Sequence, residues 1–272
     1  MNNTRITDIV DYLPVGEKKS FKQRYGVAIR AGSVTLGLLV VKFIIDYFSW
    51  SLITINPLLT AFLGGVFFTI GILFAGAVSD YKEAEKIPGE LAVALKTLNK
   101  DIRVIPFDKK QEHFVVAFRQ EVKNLLYTIT DNLRSNSWKL KTIDMQIEKV
   151  NIILGQISRV GVQPNFIIKL RNELTLIDRL CHRIDTIEET SFIPAAYTIA
   201  ELAIGIILLL LLFVQVDVSY GGLVIVDAVS MVLLSLLFLI KDMDNPFEYG
   251  KDSFADVELG ILFNLEEYWK KN

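Results

Sequence analysis

The sequence is poor in the residues that build disulfides, metal centres and nucleophilic sites. Its 272 residues include one cysteine and two histidines. A single Cys181 excludes an internal disulfide framework and a zinc site built from cysteines. His182 is adjacent, but neighbouring helical positions diverge by about 100°, so the two do not predict a shared metal site. With no phosphate-binding glycine loop and no nucleophile motif, the sequence predicts no metal site, no cofactor and no enzyme.

Net charge is also small, whereas apolar residues are abundant. The 29 basic and 31 acidic residues leave a formal charge of -2, which does not favour nucleic acid or another strongly anionic partner. Hydrophobic residues make up 51% of the chain, and the mean hydropathy is +0.39. This composition is too apolar for an ordinary soluble domain. It predicts a polytopic all-α membrane protein that contacts lipid in the cell membrane.

One long uncharged run indicates a membrane-spanning helix. Residues 58–79 carry no ionisable side chain. At about 1.5 Å per residue they reach roughly 33 Å, enough to cross a hydrocarbon core of about 30 Å. A preceding apolar run over 31–50 and an uncharged connection over 51–56 complete a transmembrane hairpin over 31–79.

A second hairpin is predicted over 195–240. Its two apolar runs, 195–216 and 221–240, are joined by a link too short to hold a domain. Four spans in total place both termini on one side of the membrane. The leader over 1–30 is basic near its end while the first hairpin connection is uncharged, so the positive-inside rule places both termini in the cytoplasm.

The region over 80–189 carries charges of both signs on an apolar rhythm of three and four residues, which is typical of amphipathic helices. These stripes favour the core of a cytosolic helical bundle over a ligand site. Breaks are expected at 105–106, 136–137 and 161–164, and a further Pro-Gly break at 88–89. Four helices are predicted, over 83–101, 110–135, 138–158 and 165–189. A cytoplasmic tail follows over 241–272.

Four charged residues fall within the predicted spans: Lys42, Asp46, Glu201 and Asp227. A charge in hydrocarbon is costly, so each should face protein or water and be paired or protonated. Lys42 lies one turn from Asp46 and at a depth similar to that of Asp227. We expect an ion pair between Lys42 and Asp227 that locks the first span to the fourth; the alternative is a place on an ion path.

The second span carries a pattern of small and large residues. Every fourth position reads Thr60, Gly64, Phe68, Ile72 and Gly76, and a neighbouring stripe reads Leu63, Phe67 and Gly71. One interpretation is an ordinary member of an inert bundle. The other is a pore-lining helix whose Phe68 and Ile72 form a hydrophobic constriction that gates by dewetting.

Two short segments resemble the bestrophin family. The run over 81–91, Tyr-Lys-Glu-Ala-Glu-Lys-Ile-Pro-Gly-Glu-Leu, resembles the bestrophin segment directly after the pore helix. Asn245-Pro246-Phe247 is similar to the bestrophin Asn-Pro-Phe motif, which comes at the same place after the fourth span. The resemblance covers the layout of most of the chain but specific residues only near 57–91 and 242–260.

Bestrophins are pentameric ion channels with one pore, lined in the membrane by the second span and continued through a cytosolic helical vestibule. The resemblance places a hydrophobic neck on Gly64, Phe68 and Ile72, and we place an inner pore mouth at Asp80 and Glu83. Paired tryptophans of the family become Tyr81 and Lys82 here, and the acidic calcium clasp that follows Asn-Pro-Phe in animal members is missing. We therefore expect a divergent, prokaryotic bestrophin-like protein without calcium gating.

The sequence leads to one main functional hypothesis and two rivals. The main hypothesis is a homopentameric channel for passive conduction of inorganic ions, with a weak preference for cations. One rival is a membrane-anchored helical scaffold or signalling protein whose helices over 110–189 bind a partner. The other is a proton-coupled carrier that uses Glu201 and Asp227, although the two hairpins show no internal repeat. Oligomeric state separates the channel from the scaffold.

Overall fold

A computed structural model describes residues 21–109, 111–189, 194–216, 220–249 and 255–271. Most of the predicted leader, the link between the last two spans and part of the tail lie outside these ranges. Within them the chain is all-helical with no β-strand, which confirms the predicted class. The described helices are α1 (Phe21–Tyr47), α2 (Pro57–Ala84), α3 (Ile87–Asp101), α4 (Glu112–Arg134), α5 (Leu140–Arg159), α6 (Pro164–Glu189), α7 (Pro194–Phe213), α8 (Tyr220–Met243) and α9 (Gly260–Lys271).

Three helices in the described part of the chain are long and apolar enough to cross a membrane. They are the Tyr25–Tyr47 part of α1, the combined α2 and α3 run Pro57–Asp101, and the Gly221–Met243 part of α8. The apolar stretch of α7, Tyr197–Phe213, is shorter. Three of the four predicted spans therefore meet the length criterion, and the span over 195–216 stays a prediction.

The apolar helices pack into a membrane-side core. Helix α8 contacts both α1 and α2, and α7 contacts all three of these helices. One side of α2 is sealed within the subunit, because Ile70 and Leu73 pack against α7 and α8. The other fully covered members of this core include Val66, Ala77, Ile204, Ile207, Leu233 and Leu237.

The outer ends of the two hairpins are joined through their backbones. The Ile53 N–H donates to the Phe213 carbonyl at 3.0 Å, and the Gln215 N–H donates to the Ile53 carbonyl at 2.7 Å. This isolated parallel bridge pairs Ile53 with Val214. It fixes the loop before α2 to the end of α7.

Helix α2 passes almost directly into α3. Glu85 and Lys86 separate the two helices, and both keep right-handed helical backbone angles. The helix is interrupted at these two residues, a few residues before the predicted Pro88-Gly89 break. Pro88 does not itself interrupt the helix, because it falls in the first turn of α3, where the missing N–H would have had no partner within the helix. The two helices thus connect the apolar helices to the amphipathic helical bundle that begins with α3, without a long loop.

Helices α3 to α6 and α9 share a second apolar core. The described helices begin and end within a few residues of the predicted ones; the helix expected over 110–135, for example, is Glu112–Arg134. Two of the predicted breaks have left-handed residues, Asn136 with φ 46° and Gly161 with φ 86°. Such angles cost asparagine and glycine little, so the chain turns there.

The tail docks on this bundle. Phe247 is only 1% exposed and belongs to this second apolar core. Its neighbour Pro246 is buried too, and the Pro246 carbonyl accepts a hydrogen bond from the Val257 N–H at 2.8 Å. Asn245, the first residue of the motif, is exposed. The motif is therefore an anchor for the segment that leads to α9.

Candidate pore helix and its charged flanks

Helix α2 has one face that no other part of the described subunit covers. Phe68 is 71% exposed and Ile72 is 58% exposed, whereas Ile70 between them is 1% exposed. Gly64 lies on the same face, and a Cβ added there would meet no atom within 4 Å. Exposed apolar rows of this kind mark surfaces covered by lipid or protein, or the wall of a hydrophobic passage.

The neighbouring stripe behaves differently. Leu63 and Phe67 are half-buried and contact the membrane-side core. The structure therefore separates the two sequence candidates: Gly64, Phe68 and Ile72 lie on the unpacked face, while Leu63 and Phe67 lie at its border. Whether the unpacked face lines a pore stays a prediction.

The end of α2 that adjoins α3 carries the two predicted mouth residues, and one of them has a partner. Both oxygens of Glu83 accept hydrogen bonds from the Arg183 guanidinium of α6, at 2.9 and 2.8 Å. This hydrogen bonding raises the pKa of Arg183, and the charges of Glu83 and Asp80 act in the same direction. Arg183 thus compensates the negative charge of Glu83. Asp80, the other predicted mouth residue, is exposed. Sequence reasoning missed Arg183, because 100 residues separate it from Glu83.

The predicted ion pair between Lys42 and Asp227 is wrong. Lys42 is 1% exposed, and its ammonium lies 2.6 Å from the carboxylate of Asp46 on the same helix. The ammonium also donates to the Val214 carbonyl, and the Ser51 hydroxyl donates to Asp46. Asp46 takes the place of Asp227 because side chains four residues apart meet on one helix face. This cluster lies at the outer end, beside the backbone bridge between the hairpins.

The two carboxylates predicted to lie within the spans, Glu201 and Asp227, have different surroundings. Asp227 lines a small cavity together with Lys42, and its Oδ1 accepts no hydrogen bond from a described residue. Glu201 of α7 forms an ion pair with Lys241 of α8, and both side chains are about half exposed. The expectation that a carboxylate in the apolar helices is paired therefore holds for Glu201.

A further cluster of titratable side chains lies on the bundle formed by α3 to α6 and α9. Nε2 of His182 is 3.5 Å from an oxygen of Asp178 and 3.8 Å from an oxygen of Asp144. Cys181 is not a member; it is fully buried in the core, and burial raises the pKa of its thiol. Sequence reasoning found no such group, although the four-residue spacing of Asp178 and His182 was visible. The contribution of Asp144 from a second helix was not.

Comparisons with known proteins give a match at the level of structure. Scans against protein-family models and against curated protein sequences find no match. A mutant of a bacterial bestrophin homologue from Klebsiella pneumoniae matches with a TM-score of 0.73 and 14% identity, over 89% of this chain and 97% of that one. The same bacterial homologue, solved by zinc phasing, gives 0.71 and 15% over 88% and 96%. The chain has the bestrophin fold.

A point mutant described as a membrane protein matches as well, with a TM-score of 0.72 and 15% identity over 90% of this chain and 97% of that one. At these identities the likeness lies in the arrangement of helices and not in shared side chains. The bestrophin fold accounts for the near-continuous α2 and α3 and for the order of apolar and amphipathic helices. It confirms the resemblance that the segments over 81–91 and 245–247 indicated.

Proposed function

We propose that this chain is the subunit of a homopentameric bestrophin-like channel that conducts inorganic ions down their gradient through a pore lined by α2. The observation that carries the proposal is the apolar face of α2 with Phe68 and Ile72. It is uncovered within a subunit that has the bestrophin fold. In that family the second span lines the pore, so this face is the one that five copies would turn toward a common axis.

In this channel, Gly64, Phe68 and Ile72 form the neck. Five Phe68 rings and five Ile72 side chains narrow the passage, and an ion that passes them loses hydrating water at a cost in free energy. Gly64 and Gly76 leave room on either side. The neck is a barrier to ions of either sign, so it does not set selectivity.

Orientation and selectivity follow from the charges. Both termini, the domain over 80–189 and the tail over 241–272 lie on the cytoplasmic side of the cell membrane, and the hairpins over 31–79 and 195–240 contact lipid. Because Arg183 compensates Glu83, the net acidic charge at the inner mouth comes from Asp80. A single acidic ring gives a weak preference for cations.

The test combines recording with truncation of the neck. Purified protein in planar bilayers should conduct, and the double variant Phe68→Ala with Ile72→Ala should raise the current without changing assembly. Each reduction of the barrier by about 1.4 kcal/mol corresponds to about tenfold more current. The matched control is Ile225→Ala on α8, which truncates a similarly exposed side chain and should leave the current unchanged.

Two outcomes oppose the proposal. If the double variant fails to fold, Phe68 and Ile72 pack against neighbouring helices and leave cavities when truncated. If stable pentamers carry unchanged currents, the neck lies elsewhere, with Leu63 and Phe67 as the next candidates. A native mass of one or two subunits with no current would favour the anchored scaffold.

A further inference from the structure

The cluster of Asp144, Asp178 and His182 has the geometry of a metal site. Each residue offers one ligand atom, and these atoms all lie within 4.8 Å of one another. A tetrahedral zinc ion with ligands at about 2.1 Å separates its ligand atoms by roughly 3.4 Å. The two measured separations from His182 Nε2, 3.5 and 3.8 Å, are close to that value. An ion could therefore be held with small side-chain adjustments.

Two helices present the ligands. Asp178 and His182 stand four residues apart on α6, which puts them on one helix face. Asp144 comes from α5, which packs against α6. An ion at this position would cross-link the two helices at their surface, outside the shared apolar core.

Asp144 supplies an independent indication. Its Oδ1 is shielded from solvent and accepts no hydrogen bond from any described residue. The side chain as a whole is 45% exposed, so this oxygen costs less than one in a fully buried side chain, but a bound cation would give it the partner that it lacks. The nearest nitrogen to it in the cluster is Nε2 of His182, at 3.8 Å.

The surrounding cleft supports a divalent cation. It is also lined by Glu148, Arg171 and Asn151. Two carboxylates and a neutral imidazole carry a charge of -2; Glu148 adds one negative charge and Arg171 one positive. One nitrogen and two oxygens suit the first-row transition metals, zinc above all, better than calcium or magnesium, which prefer oxygen ligands alone.

We propose that Asp144, Asp178 and His182 bind one first-row divalent transition-metal ion per subunit and clamp α5 to α6. Water from the open cleft completes the coordination. The site lies in the cytosolic bundle and uses no residue of the proposed neck, so it stands or falls separately from conduction.

The test uses full-length protein in detergent, stripped with a chelator. Calorimetric titration with zinc chloride should give one site per subunit, and zinc should raise the unfolding temperature, because an ion that binds only the folded state stabilises it. Cobalt should give the visible absorption of a low-coordinate complex. Magnesium should neither give a binding isotherm nor raise the unfolding temperature.

The variants identify the ligands. His182→Ala and Asp144→Asn should each weaken zinc affinity at least tenfold and abolish the cobalt spectrum. Both side chains are about half exposed, so these variants should fold. His113→Ala, at the other histidine of the chain, should behave as wild type. Absence of zinc binding at millimolar concentration, or equal affinity in wild type and His182→Ala, would overturn the proposal.

Discussion

Lys42 shows how a single charged residue is accommodated among apolar helices. It is buried, yet its ammonium has a carboxylate from the same helix and a carbonyl from the end of α7. Because the counter-ion Asp46 is local, the pair can form as soon as α1 forms. The bond to Val214 then requires the second hairpin. The residue thus couples a local ion pair to the packing of two hairpins.

Removing Lys42 should be strongly destabilising. Loss of one partner of a buried pair typically costs 3–5 kcal/mol. Asp46 is 30% exposed and keeps some water, so we expect about 3 kcal/mol for Lys42→Met, measured by unfolding in detergent. In double-variant cycles, Lys42 should couple more strongly to Asp46 than to Asp227. A larger coupling to Asp227 would contradict this pairing and support the Lys42–Asp227 ion pair that the sequence suggested.

Helix α9 shows how a terminal element is held to the bundle. Glu266 is 2% exposed, and its carboxylate accepts hydrogen bonds from Arg134 of α4 and from Lys270. Lys123 donates to the Trp269 carbonyl at 3.0 Å, and Trp269 is buried. Apolar packing and one buried carboxylate therefore hold the helix to the bundle. The hydrogen bonds to this carboxylate are strongest when it is ionised.

Burial of Glu266 acts to raise its pKa, but the hydrogen bonds from Arg134 and Lys270 outweigh it, so the pKa lies below the usual 4.5. A depressed pKa contributes stability that is present above 4.5 and is lost as the pH falls through the folded-state value. The protection of the α9 amides against hydrogen exchange, relative to the intrinsic exchange rate at each pH, should therefore fall below about pH 4.5. Glu266→Gln should flatten this dependence.

The matched control is the next residue. Glu267 is 67% exposed, so Glu267→Gln should retain the acid sensitivity of wild type. If Glu266→Gln and wild type show the same pH dependence in α9, the carboxylate does not hold the helix.

At the scale of the whole molecule, the ion pair between Glu83 and Arg183 joins α2 to the helical bundle of α3 to α6 and α9. Both side chains are about half exposed, so the pair contributes little to stability, about 1 kcal/mol or less. Its larger effect in the proposed pentamer is electrostatic. Five arginines cancel five carboxylates at the inner mouth.

Arg183→Gln should therefore unmask a ring of negative charge and shift the reversal potential under a salt gradient toward that of the cation. Arg179→Gln, one turn earlier on α6 and also exposed, removes the same charge without freeing Glu83 and should shift it less. Pentamers of Arg183→Gln with an unchanged reversal potential would remove Glu83 from the mouth.

Much of this architecture was predictable because it is local. The amphipathic stripe of α4, the left-handed turn at Gly161 and the length of α2 depend on residues a few positions apart, so the sequence predicted helices and breaks nearly where they lie. The two short segments over 81–91 and 245–247, in their order around two predicted hairpins and a central helical domain, also predicted the bestrophin resemblance, which the structural matches confirm. The burial of Phe247 follows the same logic, since a large apolar side chain in an acidic tail needs an apolar partner.

The sequence by itself thus determined the all-α class, the apolar spans and the stripe that includes Phe68 and Ile72. Only the tertiary structure decided that Lys42 pairs with Asp46, that Arg183 neutralises Glu83, and that Asp144 meets His182. Helical periodicity gives the face on which each side chain lies but not the helix that the face meets. Partners far apart in the chain are chosen by packing, which brings together groups whose spacing in sequence carries no signal.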